Sequence, residues 1–321
     1  MRSKALWHRS AHHSEILDTP LPPDSADMLE IKTHYSLVSL GTERLVAKGA
    51  VPPELYQQMG VPFMEGQFDF PVKYGYSLVG EVVSGPRQMR GKLVHLMHPH
   101  QDRCVVPGSA VTEIPEGIPL QRACLTSNLE TVLNAVWDSA VSMGDRVAVV
   151  GFGAIGALLC RLLSKIPGLE LVVFEQSSTR RTLAGSLGFE VGSTDRARVA
   201  FDLMFNCSSS ANGLQFCLDH TGKEGKVVEL SWYGTAAVQL NLGTHFHHRR
   251  LQLISSQVSQ IPPNRLARWD YSRRKQAVFK LLQHPDFDLH ITHSLPFDQA
   301  PAFFEEVRKG PVEGIGYCLV Y

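Results

Sequence analysis

Three glycines, Gly151, Gly153 and Gly156, stand at G-x-G-x-x-G spacing between a β-branched apolar run, Val147 to Val150, and a helical apolar pattern through Ile155, Leu158, Leu159 and Leu162. That is a buried strand, a tight turn and a helix. Gly151 permits the sharp bend, Gly153 lets backbone approach a pyrophosphate, and Gly156 lets helix and strand pack closely. The first helical turn, with Ala154 and Ile155, offers unpaired N–H groups and a positive dipole end to an anion. Glu175 follows 19 residues past Gly156. A carboxylate there accepts hydrogen bonds from both adenosine ribose hydroxyls and repels a 2′-phosphate, which favours NAD over NADP. The segment Gln176 to Arg181 keeps NADP open, because hydroxyls and arginines near the ribose, Arg180 among them, suit a phosphate. A helix-opening arginine can equally be solvated. Cys207 and Ser208 close another apolar run, at the strand end where open α/β sheets bind ligands; ordinary strand-end packing is the alternative. Trp232 and Tyr233 end the next strand with the same two options.

These residues need a parallel sheet to hold them. From about Leu129 onward helical and strand patterns alternate: a helix at 129–141, strands at 146–150, 169–174, 201–205, 226–230 and 251–255, and helices at 180–187 and 212–220. Residues 1–128 read instead as β-rich, with short apolar stretches at 28–33, 77–83 and 92–97 separated by Pro, Gly and Asp. A short helix fits within 41–59, and 61–70 is a connection rich in Phe and Gly. After 255 come a basic amphipathic helix (272–283), a shorter helix (301–307) and a closing strand (316–321). The expectation is an α/β chain with a discontinuous first domain, 1–128 plus 256–321, around a doubly wound parallel-sheet domain, 129–255.

Bulk properties narrow the function. The 321 residues are 44% hydrophobic and 19% charged, with 31 Lys+Arg against 31 Asp+Glu, so no nucleic-acid or anionic-membrane surface is implied. The six cysteines are scattered without a C-x-x-C pair, which argues for a reducing compartment. Neither a signal peptide nor a membrane span is recognisable, and a cytoplasmic location is expected.

The chain resembles the medium-chain dehydrogenase/reductase family, through G-Y-S-L-V-G-E-V-V at Gly75 to Val83, the helix containing Thr131, M-G-D-R-V-A-V-V-G-F-G-A-I-G at Met143 to Gly156, and the closing segment. The resemblance implies a GroES-like catalytic domain built from both chain ends, a Rossmann domain, the nicotinamide in the cleft between them with Thr131 touching it, and a homodimer through the Rossmann sheet edge. Within the family, S-L-V-S-L-G-T-E-R-L at Ser36 to Leu45 is similar to the branch that includes bacteriochlorophyllide a dehydrogenase. The zinc members' ligand positions fall here on Leu40, Tyr76 and a residue near Ser127, and between Val83 and Ile114 only Cys104 remains of the structural-zinc lobe. Such a set cannot build the tetrahedron zinc requires, so no zinc is expected.

Without a metal, something else must stabilise the developing alkoxide. Thr42, where zinc enzymes keep a proton-relay hydroxyl, and Tyr76 are the candidates, with Glu43 beside them. A structural Glu43–Arg44 pair and a core Tyr76 are the bland alternatives. His95, His98 and His100, and His245, His247 and His248, have chelating spacings, although surface histidines share them without function. The reading is a zinc-independent NAD(P)-dependent oxidoreductase acting on an alcohol or carbonyl. Enone or quinone reduction, or cofactor binding without catalysis, are the alternatives. Phe63, Met64, Phe68 and Phe70 hint at an apolar small-molecule substrate.

Overall fold

A computed structural model describes residues 2–22, 27–193 and 200–321. The chain folds as two compact units: Met1–Ser127 with Phe279–Val312 and Gly316–Tyr321, and Asn128–Val278 with Glu313–Ile315. The sequence reading ended the inner domain at residue 255; the second unit continues to Val278, inside a helix. Periodicity marks a helix's apolar face but not which core that face serves.

The first unit opens on β1 (Arg2–Ser10) and β2 (His13–Pro20), an antiparallel hairpin registered from Arg2 opposite Pro20 to Ser10 opposite His13. Its sequence is polar and histidine-rich, so it carries little apolar signal, and it was not anticipated. Then come β3 (Met28–Val38), α1 (Leu40–Ala47), β4 (Glu65–Gly66), β5 (Val72–Lys73), β6 (Leu78–Ser84), β7 (Leu93–Leu96), β8 (Arg103–Pro107), β9 (Val111–Glu113) and α2 (Leu120–Ala123). Phe68, in the 61–70 connection, is 1% exposed, and Phe63 stacks on His98 at 5.3 Å. These rings therefore cover core. Next, α3 (Thr126–Ser139) starts three residues before the expected Leu129.

The second unit carries β10 (Arg146–Val150), α4 (Ala154–Leu163), β11 (Glu170–Phe174), α5 (Ser178–Ser186), β12 (Glu190–Val191), β13 (Phe201–Asn206), α6 (Ala211–His220), β14 (Thr221–Glu229), α7 (His245–His248) and β15 (Gln252–Ser255). All pairs are parallel, in the order β12-β11-β10-β13-β14-β15, which reverses between β10 and β13. That order is the doubly wound arrangement, and the reversal is its ligand-binding switch point. Apolar faces of Ala148, Val150, Phe174, Met204, Leu214 and Val227 share one buried cluster. β14 begins five residues before the expected Lys226. Between Thr221, opposite Phe201, and Lys226, opposite Leu203, β14 carries extra residues, and Glu224 among them takes φ +61°.

α8 (Tyr271–Leu282) leads back to the first unit, where β16 (His293–Pro296), α9 (Ala300–Lys309) and β17 (Tyr317–Val320) complete the order β16-β17-β3-β6-β7-β9, with β8 on β3. Leu29, Ile31, Leu78, Val82, Val94 and Leu96 fill the core beneath that sheet. All six cysteines are free thiols. Among the described residues no helix is long and apolar enough to cross a membrane.

Candidate active site

In the first unit the candidate oxygen-handling groups gather at the start of α1. The carboxylate of Glu43 accepts the Ser39 N–H at 2.7 Å, which satisfies the backbone at the helix N-cap and fixes the entry of the chain. Thr42, on that first turn, is half-buried. The Tyr76 hydroxyl, brought in by the strand that becomes β6, is hydrogen-bonded with the side chains of Ser39 and Thr42. Burial pushes the Tyr76 phenol up to about 12, and the Glu43 charge adds to this while the two hydroxyl contacts oppose it. The site thus holds a neutral phenol next to a hydroxyl, an arrangement that can donate a hydrogen bond to a developing oxyanion.

Glu43 itself is 1% exposed, and its second oxygen lies 2.8 Å from His100 Nε2. On its other side His100 Nδ1 lies 2.7 Å from Ser36 Oγ, which in turn meets the Tyr321 hydroxyl at 2.7 Å. Ser36, His100 and Glu43 have the connectivity of a nucleophilic triad, but Ser36 is fully buried and cannot meet a substrate. The structure places Glu43 as the anchor of α1 and of this buried network. His100 is 57 residues away in sequence, and no local signal announces the pairing.

Leu40 packs against the cluster of Leu6, Val38 and Phe304. Tyr76 is committed as described, and the Ser127 hydroxyl donates to the Tyr76 carbonyl at 2.8 Å. Ser77 donates to the Cys124 carbonyl, so its contact with His95 Nε2 at 3.1 Å makes that nitrogen the donor. His98 Nδ1 donates to the Pro99 carbonyl, and burial takes this imidazole down to about 3. Among the described residues no group of three or more His, Cys, Asp or Glu side chains could hold a metal ion. The donor set does not fit a zinc tetrahedron. His245, His247 and His248 lie on the short α7, and Arg249 spans to the Asp219 and Thr221 carbonyls.

In the second unit the glycine turn leaves β10 at Val150. Gly151 has φ +96°, and a Cβ there would lie 2.8 Å from the Ser208 Cα. A Cβ on Gly156 would fall 1.9 Å from the Gly151 carbonyl oxygen. Gly153 differs: its Cβ position is open, with only an Arg180 guanidinium nitrogen at 3.9 Å. Gly153 also forms the N-cap of α4 without a side-chain cap, so the amides that begin at Ala154 and Ile155 face a free space bounded by a cation. This is a cradle for an anionic group, and the residues present fit a dinucleotide.

Glu175 lies directly beyond β11 and accepts the Phe152 N–H at 2.7 Å and the Ser177 N–H at 2.9 Å, which ties the glycine turn to the start of α5. Arg181 donates to the Glu175 and Gln176 carbonyls, so of the two arginines Arg180 is the one near the turn. Cys207 donates its N–H to the Val150 carbonyl at 2.8 Å, and Ser208 bonds to Asn206. Both therefore form the wall against Gly151. Thr131 is half-buried on α3. Asn206, Glu229 and Tyr233 form a hydrogen-bonded cluster at the same sheet end; Asn206 and Glu229 were missed in the sequence, where they read as ordinary strand-end polar residues.

A glycine turn at the switch point of a parallel sheet, with an acid after the second strand, defines a dinucleotide-binding fold, here joined on one chain to a β-rich unit. Solved structures share that whole architecture. A protein described as a zinc-binding dehydrogenase from Sinorhizobium meliloti 1021, bound to NADP, superimposes with TM-score 0.78 at 18% identity over all of both chains. A protein described as a short chain alcohol dehydrogenase from Escherichia coli CFT073, complexed with NADH, does so with TM-score 0.77 at 14% identity, over 100% of this chain and 99% of that one. No family model matches the chain. Among curated proteins, D-guloside 3-dehydrogenase of Shigella flexneri is 24% identical over 184 residues, 54% of this chain and 53% of that protein. The chain thus spans about half the length of the curated relatives it matches first. The 2-desacetyl-2-hydroxyethyl bacteriochlorophyllide A dehydrogenase of Rhodobacter capsulatus is 27% identical over 234 residues, 68% of each. Relatives and structures together point to the zinc-type medium-chain alcohol dehydrogenase-like family.

Proposed function

We propose that this chain is an NAD(P)-dependent oxidoreductase that moves hydride between the nicotinamide and an alcohol or carbonyl carbon without zinc. The observation that carries the reading is the contact of the Tyr76 phenol with Ser39 and Thr42, at the position where the family resemblance places a zinc ligand. The cofactor would supply or accept the hydride. Thr42 and Tyr76 hold the substrate oxygen by hydrogen bonds and share its proton, and Glu43 holds α1 so that Thr42 faces Tyr76. Gly153, Ala154 and Ile155 bind the pyrophosphate through backbone amides, with Arg180 beside them and Gly151 and Gly156 shaping the turn. Cys207 and Ser208 form the wall of that turn, and Thr131 contacts the nicotinamide. Glu175 favours NAD over NADP through its carboxylate at the ribose position. The substrate is a small molecule, of the alcohol or sugar kind that the relatives' names describe, and the working form is a homodimer through β15.

The test is fluorescence titration with NADH and NADPH, followed by turnover assays on alcohols, ketones, enones and quinones, with zinc measured in untagged protein. Tighter NADH binding and turnover of alcohols or ketones at well under one zinc per chain are expected. Turnover confined to enones or quinones moves the reaction to the C=C class. Binding without turnover of any class makes the chain a cofactor-responsive sensor, and one equivalent of zinc overturns the metal-free site.

A further inference from the structure

Glu229 ends β14 level with Asn206 on β13, and Asn206 is level with Val150 at the end of β10. Its carboxylate takes three donors. Oε1 accepts the Ser231 N–H at 2.6 Å; Oε2 accepts the Asn206 side-chain amide at 2.7 Å and the Tyr233 hydroxyl at 2.9 Å. Asn206 is fully buried, gives its other amide hydrogen to the Tyr233 oxygen at 3.0 Å, and accepts the Ser208 N–H and hydroxyl at 3.2 and 2.7 Å. Ser231 closes the network by accepting the Ser209 N–H at 3.0 Å. One acid therefore ties together the two loops, 207–209 and 231–233, that leave the sheet beside its switch point.

None of those three donors is a cation. These neutral dipoles solvate the negative charge of Glu229 in a half-buried place where Coulomb interactions are less screened than in water. A dinucleotide on such a sheet lies across the carboxyl ends of the strands, with its adenosine ribose at the acid after the second strand. Here that acid is Glu175, so the nicotinamide half belongs to the β13–β14 side, where Glu229 stands. The oxidised nicotinamide ring carries a positive charge and the reduced ring carries none. We propose that Glu229 is a specificity-determining residue that biases the site toward binding the oxidised cofactor. This rests on the cofactor reading above.

Glu229→Gln removes the charge while keeping the side chain's length and one acceptor oxygen. Dissociation constants of NAD+ and NADH are measured by calorimetry for both proteins, with thermal unfolding as a check of the fold. In the variant the ratio of the NAD+ constant to the NADH constant rises about fivefold, because NAD+ weakens while NADH changes little. An unchanged ratio in a folded variant, including a parallel loss for both forms, assigns Glu229 to packing alone and overturns the proposal. If Glu229→Gln does not fold, the wild-type protein decides: its NAD+ constant should be no larger than its NADH constant, and an NADH constant well below the NAD+ constant overturns the proposal. Wild-type protein that binds neither form defeats the cofactor reading itself, a result distinct from either of these.

Discussion

At the scale of single residues, the proposed handling of the substrate oxygen falls to the phenol of Tyr76 and the hydroxyl of Thr42. Tyr76→Phe removes the donor while leaving the ring, and Thr42→Val removes the hydroxyl at equal size. Each should lower kcat roughly 100-fold while leaving the cofactor dissociation constant within twofold, the range expected for loss of a positioned acid. An unchanged kcat in either would return that residue to the core. Because Tyr76 is raised from 10.0 to about 12, its neutral form is the one present throughout the usual assay range. No basic limb from this group should therefore interrupt kcat/KM below about pH 11. The raised value also stabilises the fold below the unfolded-state pKa, a contribution lost as pH climbs from 10 toward 12. Thr42 and Tyr76 stand at landmarks of short motifs, and the structure brings their side chains together. The role of Glu43 was not legible in the sequence: Arg44, the neighbour in sequence, looked like its partner, whereas His100 is the partner in space.

At the scale of elements, the strand-turn-helix unit from β10 to α4 makes Gly151 and Gly156 sterically obligatory and leaves Gly153 with an open Cβ position. Gly156→Ala drives a Cβ into the Gly151 carbonyl and should cost about 3 kcal/mol or more of stability, measured by denaturant unfolding, since neither backbone can withdraw. Gly153→Ala meets no neighbour closer than 3.9 Å and φ there is −85°, so the fold should be kept within about 1 kcal/mol while the new methyl fills the anion cradle. NADH affinity should then fall at least tenfold; unchanged affinity in folded Gly153→Ala protein would remove the turn from the cofactor site. This unit was readable because its chemistry is local: a β-branched run, glycines at fixed offsets, and an acid one crossover later. The β1–β2 hairpin has alternating burial but polar residues such as His8 and Ser14 on its buried face, so the usual apolar alternation is absent. The network around Glu229 was equally silent, because it joins strands β13 and β14 with a helix between them in sequence.

At the scale of the whole molecule, buried histidines set a pH limit on folding. His8 and His98 are both lowered from 6.5 to about 3, chiefly by burial; Arg308 and His100 press further on His8, and Lys73 and His100 on His98. Below pH 6.5 the unfolded chain takes up protons that the folded chain refuses, so stability should fall steadily from about pH 6.5 toward pH 3, by a few kcal/mol across the range. Melting temperatures measured from pH 7.5 to 4.5 check this, and a flat profile would contradict it. His98→Asn should flatten the profile, whatever it costs in packing.

Assembly is the remaining property of the whole. β15 stands at one end of the parallel sheet, and its sequence, Gln252-Leu253-Ile254-Ser255, contains no charge and no proline, with Leu253 37% exposed. The opposite edge, β12, is only two residues long. Unpaired edges without such blocking features recruit another strand, and a second copy of β15 in antiparallel register closes the edge under two-fold symmetry. Light scattering after gel filtration should return twice the chain mass of 35.6 kDa. Leu253→Lys places a charge in the centre of that pairing and should shift the protein to monomers while its NADH affinity stays within twofold, because the proposed cofactor residues lie at the strand ends and not along this edge. A monomeric wild type, or a Leu253→Lys variant that remains dimeric, would exclude β15 as the interface.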